Sequence, residues 1–218
     1  MITAAMKRYA AEIYRLQEDR AYVGISDLAD HIDASLQAIS RMIGRLKEMD
    51  FLDHEPYRGV RLTPAGEEIA LPAIRRHRLV EVFLVKVMGF GWHEVHDYSD
   101  QFELGVNQVI EERIFEIAGR PTRCPHGEPI PSVEGVMPVL NDASLTTFEP
   151  GKMYVLSRVR VHDPEKLLYL GELNLYPGAR LELLSLAPFN GPVRIRLGRQ
   201  EIVLSYELAA ALFVEPEA

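Results

Sequence analysis

Apolar residues at helical spacing predict three helices near the start of the chain. Residues 6–20 form the first, and Ser26 is the predicted N-cap of a short second helix that ends at Ile32. Ser35 is the predicted N-cap of a third helix, residues 36–49, whose apolar positions face a core. A helix, a tight turn and a second helix in succession are typical of a helix-turn-helix unit.

The exposed face of the third helix is polar and basic. In a helix-turn-helix unit this helix enters the major groove, where Gln pairs with adenine and Arg with guanine through two hydrogen bonds. The DNA-binding residues predicted here are Ser35, Gln37, Ser40, Arg41, Arg45 and Lys47. A charged helix face is also common as plain solvent surface, and that alternative applies to the helix taken alone.

A β-hairpin is predicted directly after the third helix. Residues 51–55 and 60–63 form two short strands, and the turn at 56–59 contains Pro and Gly. A hairpin at this point is a wing, whose basic and aromatic residues contact DNA phosphates. Those residues are Tyr57, Arg58 and Arg61.

Two long apolar helices are predicted next. The first covers residues 64–88, with Thr63 as N-cap and Pro64 in its first position, and the second covers residues 96–118. Together they carry more apolar surface than two helices bury against each other. A homodimer interface is therefore predicted on this helical region.

Imidazole and carboxylate side chains are spaced along the same two helices. His77 and Glu81 are four residues apart, and His96, Asp100 and Glu103 follow at intervals of four and three. Each set shares a helix face, and two packed helices direct both sets into one space. Carboxylates held close together repel unless a divalent cation binds them, so a metal site is predicted. Ordinary ion pairs on solvated helix faces are the alternative.

The pattern changes to period two in the last third of the chain. Residues 121–131 are rich in Pro and form a loop, and a linker is predicted to follow. Five short strands separated by Gly or Pro turns then predict a small β-barrel. The predicted fold class is α+β: an N-terminal winged helix-turn-helix, a helical dimerisation and metal-binding domain, and a C-terminal small β-barrel.

Composition narrows the function classes. The chain has 218 residues, a net charge of −8 and a 47% apolar fraction, so it is globular and not a generic polyanion binder. It has no apolar run of about 18 residues, which a membrane span needs, and its first residues lack the apolar core of a signal peptide. The single cysteine, Cys124, suits a reducing cytoplasm, which is the predicted location.

Four motifs resemble the family of metal-dependent repressors that includes the diphtheria toxin repressor and the manganese regulator MntR. They are YRGVRLTPAG at 57–66, HRLVE at 77–81, VHD at 95–97 and CPHGEPIP at 124–131. The resemblance covers essentially the whole chain. It implies a homodimer that binds double-stranded operator DNA when loaded with Mn(II) or Fe(II) and that controls metal uptake. It also implies a domain division at 1–63, 64–135, a linker at 136–149, and an FeoA-like barrel at 150–218.

The resemblance also implies two sets of metal ligands. His77, Glu81 and His96 match ligand positions of the family, and Asp100 and Glu103 fall where the family has its paired core ligands. Leu104 and Arg8 depart from the pattern, since the family has ligands at both positions. A second set corresponds to Glu81, Cys124, His126 and Asp163.

The atoms of the predicted ligands indicate which metal ions bind. Carboxylate and imidazole ligands suit Mn(II) first and Fe(II) second, while Zn(II) or Cd(II) can substitute in vitro.

A hydrolytic or redox metalloenzyme uses similar ligands, but the chain shows no nucleophile constellation and no Gly-rich phosphate loop, so it is not predicted to be an enzyme. A metal-independent winged-helix regulator is the other alternative.

Overall fold

A computed structural model describes residues 2–17, 20–32 and 34–217. Their internal contacts divide them into two compact units. The first contains the described residues up to Arg76 together with Pro131–Met137, and the second contains His77–Ile130 together with the described residues from Pro138 onward. Each unit has its own hydrophobic core.

The first unit begins with three helices: α1 (Ala4–Gln17), α2 (Ile25–Ile32) and α3 (Leu36–Glu48). Residues 18 and 19, at the predicted end of the first helix, lie outside the described residues. Ser35 caps α3 as predicted, because its side chain accepts a hydrogen bond from the backbone of Ala38. The predicted cap at Ser26 is wrong: the carbonyl of Gly24 accepts from the amide of Leu28, and α2 starts at Ile25, two residues before the start that a Ser26 cap implies.

The wing follows α3 as an antiparallel pair of strands, β1 (Leu52–Glu55) and β2 (Gly59–Leu62). Val23 adds a single bridge to this pair, exchanging two backbone hydrogen bonds with Val60. Gly59 has φ +114°, and a Cβ there would collide with the carbonyl of Val23. The wing therefore needs glycine at this position to pack against the segment before α2.

The core of the first unit lies between the three helices and the wing. Its fully buried side chains include Ile13, Leu28, Ile39, Leu46, Val60 and Ile74. Helix α4 (Pro64–Lys86) supplies Ile74 and continues into the second unit. It begins as predicted, with the amide of Gly66 donating to the Thr63 hydroxyl at 3.2 Å.

The second long helix predicted at residues 96–118 is wrong as a single element. The structure has α5 (Val95–Phe102), a 3-10 turn (Glu103–Gly105) and α6 (Gln108–Ile117). Gly105 has low helix propensity, Val106 is extended, and the side chain of Asn107 caps α6 by accepting from the amide of Ile110 at 3.0 Å. Apolar periodicity continues through this break, so periodicity alone does not show it.

The C-terminal region is an antiparallel sheet with two short helices. The elements are β3 (Ala143–Ser144), β4 (Lys152–Val159), α7 (Pro164–Glu172), β5 (Arg180–Leu186), β6 (Val193–Leu197), β7 (Gln200–Leu204), α8 (Tyr206–Ala210) and β8 (Leu212–Pro216). The strand order is β3-β8-β4-β5-β6-β7. The five predicted strands are present, and the sixth, β3, lies inside the predicted linker. In the described residues no hydrogen-bonded pairing joins β3 to β7, so the ladder is open there.

The core of the second unit has two parts. One lies under the sheet, and the other lies between α4, α5, α6 and the loop that carries Cys124. Leu79, Val80 and Leu84 of α4 are buried within this unit. Much of the apolar face of α4 therefore packs inside the chain. None of the described helices is both long and apolar enough to cross a membrane.

Candidate metal centre

Four segments of the second unit bring the predicted ligands together. Helix α4 carries His77 and Glu81, and α5 carries His96 and Asp100. Glu103 opens the 3-10 turn after α5, and the loop between α6 and β3 carries Cys124 and His126. Since α4 and α5 are joined by a short connection around Gly89, their ligand faces meet.

The carboxylate of Glu81 lies at the centre of this cluster. Its Oε1 is 3.3 Å from His77 Nε2, 3.4 Å from His96 Nδ1 and 3.6 Å from His126 Nδ1. The side chain of Glu81 is 4% exposed. One buried carboxylate thus faces imidazoles from two helices and from the loop.

His77 lies between this carboxylate and a second acidic pair. Its Nε2 faces Glu81, while its Nδ1 is 3.2 Å from Asp100 Oδ1 and 3.3 Å from Glu103 Oε2. The two nitrogens of one buried imidazole therefore belong to two different ligand groups. One nitrogen binds one ion, so the groups are coupled through the His77 ring.

The loop contributes a thiol and an imidazole. Cys124 Sγ is 3.9 Å from His126 Nδ1, and both residues are buried. His126 Nε2 lies 2.8 Å from the carbonyl oxygen of Trp92. Because a carbonyl only accepts hydrogen bonds, Nε2 donates to it and Nδ1 faces Glu81. Such a bond on the outer nitrogen is typical of histidines that ligate metals.

Charge and burial shift the pKa values of three of these groups. Burial raises the pKa of Glu81, but the charge of His126 and hydrogen bonds from three imidazoles outweigh it, so this pKa lies well below its usual range. Burial lowers the pKa of His126, yet the Glu81 charge brings it well above its usual value. Burial and Glu81 raise the pKa of Cys124. Protons on His126 and Cys124 must therefore leave before these groups ligate a cation.

The donor set fits a divalent cation. Three groups each place their ligand atoms within 4.8 Å of one another: His77–Glu81–His96, Glu81–Cys124–His126 and His77–Asp100–Glu103. Metal–nitrogen bonds of about 2.0–2.1 Å put neighbouring tetrahedral ligand atoms about 3.3–3.4 Å apart. The distances between ligand atoms around Glu81 and His77 are close to this spacing.

Asp163 is the predicted ligand that the structure does not bring to the cluster. It belongs to none of the three groups found among the described residues, and it is exposed. Its Oδ1 accepts from the amides of Glu165 and Lys166, so it caps α7. The neighbouring His162 instead places its ring 4.9 Å from that of His96. Proline after Asp163 marks a helix start, a signal that favours the capping role.

Two departures from the family pattern lie on the surface. Leu104 is 81% exposed, and Arg8 is exposed on α1. Glu12, the next acid of α1, pairs with Arg15 at 2.7 Å and with His31 at 3.0 Å inside the first unit. The spacing of His and acidic residues along the sequence did not reveal that Trp92 and Glu128 lie beside the ligands. Trp92 binds His126 through its backbone carbonyl, and Glu128 pairs with Arg78 and Arg158.

The predicted DNA-binding residues occupy an exposed surface of the first unit. Ser35, at the start of α3, serves as its cap. The other α3 residues of this set are exposed: Gln37, Ser40, Arg41, Arg45 and Lys47. At the wing tip, Tyr57 is fully exposed with φ +65°.

The wing arginines are held by neighbouring side chains. Arg58 pairs with Glu55 at 2.8 Å and lies 4.3 Å above the ring of Tyr22. Arg61 pairs with Asp53 at 3.1 Å. The hydroxyl of Tyr22 also hydrogen-bonds Glu55, and this bond raises the pKa of Tyr22. Each of the two wing arginines therefore has an acidic partner on the wing.

A winged helix-turn-helix joined to a buried His/carboxylate cluster defines a metal-responsive DNA-binding protein, and three family models support this class. "Iron dependent repressor, N-terminal DNA binding domain" matches residues 1–60. "Iron dependent repressor, metal binding and dimerisation domain" matches residues 63–132. "FeoA domain" matches residues 143–216.

Individual relatives agree with these matches. The iron-dependent repressor IdeR of Mycobacterium tuberculosis is 28% identical over 95% of each chain. The transcriptional regulator MntR of Bacillus pumilus is 33% identical over 54% of this chain and 81% of its own. A manganese-dependent transcriptional repressor solved with manganese is 31% identical over 97% of this chain and 100% of its own, with a TM-score of 0.90. The chain belongs to the DtxR/MntR family of metal-dependent transcriptional repressors.

Proposed function

We propose that this repressor is a cytoplasmic homodimer that binds operator DNA when loaded with Mn(II), or with Fe(II), and that it controls metal-uptake genes. The observation that carries the proposal is the meeting of imidazole and carboxylate ligands around Glu81 and His77. No catalytic role is assigned to these residues.

The ligand types favour Mn(II) at the acidic group. His77, Asp100 and Glu103 offer one nitrogen and carboxylate oxygens, which suit Mn(II) and Fe(II). The second group, Glu81–Cys124–His126, contains sulfur and suits softer ions as well. A solved relative carries manganese. Structures of the repressor ScaR, which is 27% identical over 97% of this chain with a TM-score of 0.82, carry Cd(II) and Zn(II). Related proteins therefore accept both kinds of ion.

Helix α4 connects the metal ligands to the DNA-binding unit. This helix carries His77 and Glu81 in the second unit and starts directly after the wing. A bound cation supplies charge neutralisation and joins α4, α5 and the loop. The joined ligands restrict the arrangements of the dimer to those that space two α3 helices about 34 Å apart, one turn of DNA. Operator DNA then tightens metal binding by the same factor.

The test is fluorescence anisotropy of a labelled promoter fragment from a manganese- or iron-uptake gene. The chain is assayed with a chelator, with Mn(II), with Fe(II) and with Zn(II). We expect the wild-type chain to bind the fragment only with metal. We expect Glu103→Ala and His126→Ala to bind it more weakly than wild type in the presence of Mn(II). Glu149→Ala, which removes an exposed acid just before β4, is the matched control. Equal binding in the presence of chelator contradicts the proposal and favours metal-independent regulation.

A further inference from the structure

The loop that carries Cys124 and His126 is fastened to strand β4 of the sheet. The amide of Val159 donates to the carbonyl of His126 at 2.8 Å. Gly127 has φ +89° and packs so closely on β4 that a Cβ would collide with the carbonyl of Ser157. The backbone beside a predicted ligand thus rests directly on the sheet.

Buried charges extend this attachment beyond the backbone. Arg158 of β4 donates to both oxygens of Asp142 at 2.9 Å, and its Nη1 is 3.2 Å from Glu128 Oε2. Glu128 belongs to the same loop as His126, two residues further on. The side chains of Arg158, Glu128 and Asp142 are 12%, 11% and 1% exposed.

The carboxylate of Glu128 also faces helix α4, which carries His77 and Glu81. Arg78 of α4 lies 3.6 Å from Glu128 and donates to the carbonyl of Pro129 at 2.6 Å. Arg78 follows His77 directly and precedes Glu81 by three residues. Glu128 therefore lies between an arginine of α4 and an arginine of β4, and we call Arg78, Glu128, Asp142 and Arg158 the Glu128 network.

Stability alone does not account for such a network. Taking charges out of water is expensive, and apolar side chains of similar volume often stabilise a fold as well or better. Paired charges with directional hydrogen bonds do fix geometry. Groups behind metal ligands are known to set ligand orientation in this way, and their loss typically lowers metal affinity about 10–100-fold.

We propose that Arg158 is a positioning residue for the Glu81–Cys124–His126 group. Through Glu128 it holds the loop on the sheet, so that Cys124 and His126 meet Glu81 before metal arrives. The sheet region thereby acts as part of the metal sensor without contributing a ligand from Arg158 itself. This inference rests on the proposed function, because it requires that the group bind metal.

The test uses Co(II), since a Co(II)–thiolate bond gives a charge-transfer absorption that reports Cys124 as a ligand. The full chain is titrated with Co(II), and the affinity is obtained from this band in competition with a chelator. Arg158→Met is expected to lower the affinity about 10–100-fold. Arg158→Lys, which keeps the charge but not the forked hydrogen bonds, is expected to recover part of it. Arg194→Met, which removes an exposed ion pair of β6, is the matched control and keeps the wild-type value.

Glu128→Gln guards against a variant that fails to fold. It keeps the shape of the side chain, and its Co(II) affinity is expected to fall as in Arg158→Met, while circular dichroism shows a folded chain. Wild-type Co(II) affinity and band intensity in folded Arg158→Met, or in Glu128→Gln, overturn the positioning role and leave the metal site standing. No thiolate band in the wild-type chain overturns the metal assignment of this group and the inference with it.

Discussion

His126 donates from Nε2 to the carbonyl oxygen of Trp92 at 2.8 Å, and its ring lies 5.7 Å from the indole ring. The hydrogen bond directs Nδ1 toward Glu81 and Cys124. Trp92 is the single tryptophan of the chain and is buried. The same residue that orients a predicted ligand is therefore an intrinsic probe of that ligand.

Metal binding at the loop is expected to change the fluorescence of Trp92. Paramagnetic Co(II) near the indole quenches its emission, and the titration should saturate in step with the thiolate band. His126→Gln removes Nδ1 as a ligand and should abolish the response. His54→Gln, an exposed change on the wing, should leave the response intact. A His126→Gln chain that is quenched as strongly as wild type contradicts the assignment of His126.

Ligand spacing within a helix was predictable from the sequence, whereas contacts that depend on the path of a loop were not. His77 with Glu81 and His96 with Asp100 follow from helix geometry alone. Asp163 was placed by resemblance, and the structure instead uses it to cap α7. Glu128 gave no signal because its neighbours, Arg78 and Arg158, lie far away in sequence.

The fold shows the same division between local and distant information. The winged helix-turn-helix was predictable because Ser35, Thr63 and Gly59 carry local signals for caps and turns. The break after α5 was missed because the apolar spacing continues in phase across it, although Gly105 and Asn107 are local signals for a helix end and a helix cap. Strand β3 is two residues long, too short to show a period.

Glu103→Gln is expected to weaken Mn(II) binding without weakening the metal-free fold. The amide is a poorer ligand than the carboxylate, so the rise in unfolding temperature that Mn(II) produces should shrink. A ligand at 100 times its Kd stabilises a fold by about 2.7 kcal/mol, and a tenfold loss of affinity removes about 1.4 kcal/mol of this. In the metal-free chain, one carboxylate fewer beside Asp100 lessens repulsion.

Thermal unfolding with and without Mn(II) measures both effects of Glu103→Gln. The matched control is Glu149→Gln, an exposed acid before β4 that lies outside the three ligand groups of the described residues. An Mn(II)-dependent rise in unfolding temperature equal to that of wild type would remove Glu103 from the site. A large drop in the metal-free unfolding temperature would indicate that Glu103 mainly supports the fold.

Substitutions on α3 should separate phosphate contacts from base contacts. Lys47→Ala is expected to weaken binding to operator and unrelated DNA alike, and to reduce the slope of log K against log salt by about 0.9 for one lost phosphate contact. Gln37→Ala, near the N-terminus of α3, is expected to lower the preference for the operator at nearly constant slope. Lys86→Ala, an exposed change at the end of α4, is the control.

Anisotropy titrations at four salt concentrations, with operator and scrambled duplexes, measure these changes. The assignment of Gln37 fails if its loss lowers both affinities equally. The assignment of Lys47 fails if the salt slope is unchanged.

The exposed face of α6 is the expected site of dimer contact. Val109, Ile110 and Ile117 are 67%, 41% and 63% exposed, in the region that matches a dimerisation domain. Apolar surface removed from water contributes about 25 cal/mol per Å², so covering these side chains favours association.

Val109→Lys places an ammonium in that contact and should raise the dimer dissociation constant more than tenfold. Sedimentation velocity over a concentration series measures it, with Val203→Lys on β7, where the side chain is 57% exposed, as the control. If Val109→Lys stays as dimeric as wild type while Val203→Lys dissociates, the interface lies on the sheet instead.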